Sequence, residues 1–202
     1  MEVVTTQPQT LTAEEYLSAE RAAIREKKGK HEFFNGEIIS ISGATINHNI
    51  IAMNLYLLLG MVRKDKNISV FSSDLRIFNP INNSFCYPDV CVVQGAPQMT
   101  DNNRDILLNP LLLIEVLSES TEKYDRGDKL KIYRSIPSVR EYVLIAQDTC
   151  GIESYFKTDA GEWLYSEISD AAGQFTFQSI GLQIAVSQVY EGVVFTTNTP
   201  PA

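Results

Sequence analysis

At 202 residues, 44% hydrophobic and 21% charged, the chain suits one domain with a sizeable core and carries no bias toward disorder or a collagen-like repeat. A formal net charge of −8 and a pI near 4.8 argue against a protein that coats nucleic acid by bulk electrostatics. A phosphate ligand would need a bound metal ion or a local basic lip, which Arg126, Lys129, Lys131 and Arg134 are placed to supply.

The N-terminus shows no basic region followed by an apolar run, and no segment approaches the length of a membrane span, so a soluble cytoplasmic protein is expected. The three cysteines have no metal-ligand spacing. Cys86 and Cys91, five apart on an extended stretch, should face opposite sides, and reduced thiols are expected.

In chain order, residues 1–9 and 196–202 read as polar, proline-bearing tails around a single domain over 10–195. Thr12 with Glu15 is a capping-box pattern and predicts a helix from Ala13 to about Lys27. His31-Glu-Phe-Phe, then Asn35-Gly36, then an alternating strand predicts a hairpin, because Asn-Gly tolerates the positive φ of a tight turn. Ile50, Ile51, Leu55, Leu58, Leu59 and Val62 recur at helical spacing and predict a packed helix from Asn47 to about Arg63.

Strands are expected at 68–71, 75–78 and 87–93, with a turn over 79–83 joining the last two. The continuous apolar run 110–117 marks a central strand covered on both faces. A helix over 121–135 should end before Pro137, and strands follow at 140–146, 152–157, 162–168 and 182–186. The order predicts an α/β fold, a mixed sheet with helices packed on it.

Two acids stand out against this frame. Glu115 lies inside the apolar run, where an unpaired ionised carboxylate costs several kcal/mol (roughly 3–5). It needs a metal, a cation, or a strand end that opens on a cleft; a salt bridge to a core arginine or lysine would also answer. Asp89 follows Pro88 at a strand start and shares a face with Cys91 and Val93. Two such carboxylates in one cleft repel unless a proton or divalent cation intervenes, and hard oxygen ligands point to Mg²⁺ or Mn²⁺. Asp125, Lys129 and Tyr133 are spaced i, i+4, i+8, so that Lys129 can reach the pair if their helix packs back on the sheet; an exposed Asp125–Lys129 ion pair is the bland alternative. Glu32, Asp74 and His48 are secondary candidates, with solvated acids and a helix-start histidine as the plain readings. No P-loop, GxGxxG, GxSxG or HExxH motif occurs.

The ordered set of Asp89 in PDVCVV, Glu115 in LLIEVLSEST, and Asp125, Lys129 and Tyr133 in YDRGDKLKIYRSIPSVREYVLI resembles the Uma-two family of restriction endonucleases, part of the PD-(D/E)XK nuclease superfamily. HEFFNGEIISISGATINH and LTAEEYL resemble its other recurrent segments. The resemblance implies a restriction-endonuclease-like core with an added N-terminal hairpin and C-terminal strands. It also implies Mg²⁺ (or Mn²⁺ in its place) held by Asp89, Glu115 and the carbonyl of Val116. The expected activity is endonucleolytic hydrolysis of nucleic-acid phosphodiesters, DNA first, by a metal-activated water. The superfamily's lysine, two residues after the acid, is replaced here by Leu117, which nominates Lys129 on the following helix as the catalytic cation, with Lys131 about 200° around that helix as the weaker candidate. Cutting two strands commonly uses a two-fold dimer, so a homodimer is expected. The rival expectation is an inactive module of the same fold that binds nucleic acid or protein. Pro137-Ser138-Val139 also departs from the family and is expected to affect only a turn.

Overall fold

The computed structural model describes residues 11–41, 43–100 and 104–195; the segments read as tails, 1–9 and 196–202, lie outside them. Helix α1 (Ala13–Arg25) starts at the expected capping box, with the Thr12 hydroxyl accepting from the Glu15 N–H and the Glu15 carboxylate accepting from the Thr12 N–H. Strands β1 (His31–Phe34) and β2 (Glu37–Ser40) form the expected hairpin, with φ of 52° at Asn35 and 85° at Gly36. Helix α2 (Ile46–Val62) buries Ile51, Leu55 and Leu59 along one stripe.

The next strands are β3 (Ile68–Ser72), β4 (Arg76–Asn79), β5 (Ser84–Cys86), β6 (Val90–Gln94), β7 (Ile106–Leu107) and β8 (Leu112–Leu117). Helix α3 (122–135) opens as α over Glu122–Tyr124, widens to a π turn over Asp125–Lys129 and closes as α over Leu130–Ser135. Strands β9 (Glu141–Ala146), β10 (Ile152–Lys157), β11 (Trp163–Ile168), β12 (Gln174–Phe177) and β13 (Leu182–Ala185) follow, then the short helix α4 (Val186–Val189).

The strands make three sheets rather than one: a six-stranded sheet in the order β11-β10-β9-β8-β6-β3, a five-stranded sheet β2-β1-β5-β4-β7, and the hairpin β12-β13. The expected link from 75–78 into 87–93 is corrected here. The turn after β4 returns through β5, antiparallel to it, and the chain then crosses to the large sheet at Pro88-Asp89. Strands β5, β7 and β12 and helix α4 were not anticipated, because they are too short to show a period. Cys86 and Cys91 do not face opposite sides. That crossing separates them, and both bury between the two larger sheets, as free thiols.

Strands β8 and β9 run parallel, with α3 as their crossover, and every residue of β8 is buried. One face of the large sheet (Val92, Ile114, Val143) packs on α2 and on the β12–β13 hairpin. The other (Cys91, Leu113, Leu144) packs on α3 and on the small sheet, whose far side carries α1 through Tyr16, Phe33 and Phe85. Glu115 points into that second layer, between sheet and α3. Pro137 and Ser138 lie in a turn, as expected.

Candidate metal and phosphate site

Strand alternation sets the first half of the site. Leu112, Ile114 and Val116 fill one core, which leaves Glu115 on the face that meets α3, at 3% exposure. The β6–β8 ladder ends at Val90 opposite Ile114, and just beyond it the Asp89 side chain takes over. The Val116 N–H donates to Asp89 Oδ2 at 2.8 Å, and the Asp89 N–H donates to Glu115 Oε2 at 3.3 Å. Each acid is thus held by the backbone beside the other. Asp89 lies one residue outside its strand, since Pro88 has no N–H to extend it.

Helix α3 supplies the second half. The Lys129 ammonium lies 2.9 Å from Glu115 Oε1, 3.0 Å from Glu32 Oε1 and 3.6 Å from Asp125 Oδ1. The Tyr133 hydroxyl donates to Glu115 Oε1 at 2.7 Å. The π turn brings Asp125 and Lys129 both inward, and such one-residue expansions recur at functional sites. The exposed Asp125–Lys129 ion pair, the bland alternative, does not form, and a buried cluster takes its place. Lys131 points away and pairs with Asp128.

The hairpin and α1 supply Glu32. Its carboxylate accepts from the Tyr87 N–H at 2.8 Å, just upstream of Asp89. Buried Glu20 of α1 anchors both partners, accepting from the His31 N–H and from the Tyr87 hydroxyl. Asp74 is not drawn in: its exposed carboxylate pairs with Lys30 at 3.0 Å.

Helix α2 closes the other side. His48 Nε2 lies 3.2 Å from Asp89 Oδ1, and Tyr56 donates to the Asp89 carbonyl. Tyr56 as a site residue was missed, and His48 was read as only secondary. The signal was the same spacing used for α3. His48, Ala52 and Tyr56 are i, i+4, i+8, beside the Ile51–Leu55–Leu59 core stripe, and all three line the cavity.

The cavity holds about 330 Å³ and is lined by Glu32, Asp89, Glu115 and Asp125 against two lysines, Lys30 and Lys129. Burial first, and then the neighbouring charges, show in the proton affinities. Burial, joined by the neighbouring acids, pushes the Glu115 carboxyl well above its usual range despite Lys129. Burial likewise raises Asp125. Burial opposes the charge on Lys129, yet Glu115, Glu32 and Asp125 outweigh it and hold the ammonium well above the ordinary lysine value. Burial also opposes protonation of His48, and the hydrogen bond and charge of Asp89 outweigh it and raise that ring. Burial pushes the Tyr56 hydroxyl up to about 12.

The basic lip drawn from the sequence does not form. Arg126 is bonded to Glu122 and Glu153, Lys131 to Asp128, and the Arg134 guanidinium lies over the Trp163 ring. Only Lys129 of that set enters the cavity.

A hard divalent cation suits this donor set: two carboxylates, the Val116 carbonyl, and surplus negative charge in a pocket lined by buried side chains. Among the described residues, no three acidic, histidine or cysteine side chains close into a ready cage. Mg²⁺ is commonly bound in that open way, keeping waters and taking further oxygens from a phosphate. Among the described residues, no helix is long and apolar enough to cross a membrane.

Other proteins share the fold and the sequence pattern of this chain. In the crystal structure of "a putative nuclease belonging to DUF820" from Anabaena variabilis ATCC 29413, the fold superposes with a TM-score of 0.73 at 17% identity, over 91% of this chain and 99% of that one. Two proteins of Synechocystis sp. (strain PCC 6803) are similar in sequence. The uncharacterized protein sll1609 is 40% identical over 84% of this chain and 95% of its own length. The uncharacterized protein slr1290 is 33% identical over 92% and 94%. Residues 13–187 match the family model Uma2, described as "Putative restriction endonuclease", and the chain belongs to that family.

Proposed function

We propose that the protein is a Mg²⁺-type metal-dependent endonuclease, with DNA as its substrate and a homodimer as its working form. The observation that carries the reading is the Lys129 ammonium, 2.9 Å from Glu115 Oε1 while the other oxygen of that carboxylate faces Asp89. That placement supports Lys129 as the cation that Leu117 cannot supply.

Asp89 and Glu115, with the Val116 carbonyl, would hold the cation. When bound it supplies Lewis acidity, acidifying a water and neutralising charge on the scissile phosphate. Val116 and Asp89 fix each acid's orientation through their N–H groups, so little reorganisation is left for the moment of reaction. Lys129 sits where it can orient the attacking water or stabilise charge on the phosphoryl oxygens. Tyr133, Asp125 and Glu32 hold Glu115 and Lys129 in place.

Supercoiled plasmid with Mg²⁺ or Mn²⁺ is the test. Nicking by the wild type should stop with chelator, and Asp89→Ala, Glu115→Ala and Lys129→Met should each lower it by about 100-fold or more. Absence of cleavage on both DNA and RNA, together with absence of metal affinity, would sink the reading. A non-catalytic binding module is the second reading, favoured by one observation: Arg126, Lys131 and Arg134 are engaged outside the cavity.

A further inference from the structure

We infer that His48 is a nitrogen ligand of the cation site, which gives that site a preference for Mn²⁺ over Mg²⁺. The inference rests on the preceding reading only in placing a cation at Asp89.

His48 Nε2 lies 3.2 Å from Asp89 Oδ1, and the same ring meets the Val116 backbone. These are two of the three oxygen positions assigned to the cation. Adjacent donors around an octahedral ion with bonds of about 2.1 Å lie about 3 Å apart. The nitrogen-to-oxygen spacing seen here is therefore that of two ligands on one ion. The ring needs only to present its Nε2 lone pair, as metal-bound imidazoles do.

The ring is also firmly placed. The His48 backbone N–H donates to Thr45 Oγ1 at 3.1 Å in the cap of α2, which fixes the helix position that carries the ring. Two turns on, Tyr56 of the same helix bonds the Asp89 carbonyl. Helix α2 thus grips the Asp89 segment at two points, and the distance from His48 to Asp89 is set by rigid elements. The imidazole is largely enclosed, at 16% exposure.

Glu115 explains why a further ligand is wanted. Its Oε1 is taken by Lys129 and Tyr133, and its Oε2 faces the Asp89 N–H. On the Asp89 side of the cavity, His48 brings a nitrogen within a ligand's distance of the Asp89 carboxylate. A donor set with one imidazole favours a transition ion, which bonds nitrogen readily, over Mg²⁺, which seeks oxygen.

The test is Mn²⁺ binding to the whole chain, read by electron paramagnetic resonance with ¹⁴N spin-echo modulation. The chain has two histidines, and His31 is bonded to Glu20 at the α1–β1 contact, so a nitrogen signal is assignable. Wild-type protein should show nitrogen coupling to bound Mn²⁺ and a preference over Mg²⁺ of about tenfold. His48→Gln should abolish the coupling and most of that preference, while His31→Gln keeps both. Mn²⁺ bound without nitrogen coupling, coupling that survives His48→Gln, or no Mn²⁺ binding overturns the inference. The wild-type spectrum decides by itself if a variant fails to fold. Coupled Mn²⁺ without cleavage would leave the inference standing and refute the nuclease; cleavage without coupling would do the reverse.

Discussion

Replacing Lys129 by methionine keeps the length of the side chain and removes the charge that three buried carboxylates share. In the wild type Lys129 is 6% exposed, and its ammonium lies within 3.0 Å of Glu115 and Glu32, with Asp125 at 3.6 Å. Breaking a buried pair by deleting one partner costs about 3–5 kcal/mol, most of it the cost of the charge left behind. For a chain of this size that is roughly 6–20 °C in melting temperature. The loss should depend on pH with a definite sign. Without Lys129, the folded-state pKa values of Glu115 and Asp125, already raised by burial, rise further. Folding must then take up protons, so the variant loses stability as pH climbs, and Lys129→Met should lie nearer to wild type at pH 5 than at pH 8. Urea melts at both pH values measure this. A cycle with Glu115→Gln should recover about 1–3 kcal/mol of coupling. A Lys129→Met protein as stable as wild type at pH 8, or one whose deficit grows on acidification, would refute the clasp.

Tyr133→Phe removes the 2.7 Å bond to Glu115 and should cost about 1–2 kcal/mol in urea melts, with a smaller loss of nicking than Lys129→Met. Glu141, on β9, accepts from Ser154, Gln178 and Ser179 with no exposure; Glu141→Ala should cost about 2–4 kcal/mol in thermal melts, and Glu141→Gln less than half of that. Asp105 is held below the usual aspartate range by Arg21, against burial, with Arg76 adding to the effect. A depressed carboxyl stabilises the fold above its unfolded pKa, and the contribution disappears as pH falls through the folded value. Asp105→Asn should therefore melt lower than wild type at pH 7, by an amount that solvent screening keeps modest, and the gap should shrink as pH falls below about 3.8. Equal gaps at pH 7 and pH 3 would contradict that linkage.

Elements with a long period or explicit punctuation were legible in the chain itself. Thr12 and Glu15 set the start of α1, Asn35-Gly36 set the hairpin, and the run from Leu112 to Leu117 marked a strand covered on both sides. These are local rules of capping, positive φ and alternation, which need no distant partner. The two acids were legible for an energetic reason, since Glu115 amid leucines demands a compensating group wherever the strand lies. Asp125, Lys129 and Tyr133 were legible as one helix face.

What covered that face was decided only in three dimensions. Whether Lys129 met solvent or Glu115 depended on α3 folding back over β8. Whether Arg126 served a phosphate or Glu153 depended on β10 lying beside β9. The separation of the β5 and β6 sheets at Pro88-Asp89 was likewise not local, and it put Cys86 and Cys91 in one layer. His48 and Tyr56 belong to the same class. Spacing put them on one stripe of α2, but their meeting with Asp89 required that helix and the end of the central sheet to pack together. Sequence by itself thus determined which groups needed partners, because burial and periodicity are properties of each segment. Tertiary structure decided which partners they found, because proximity between segments is not.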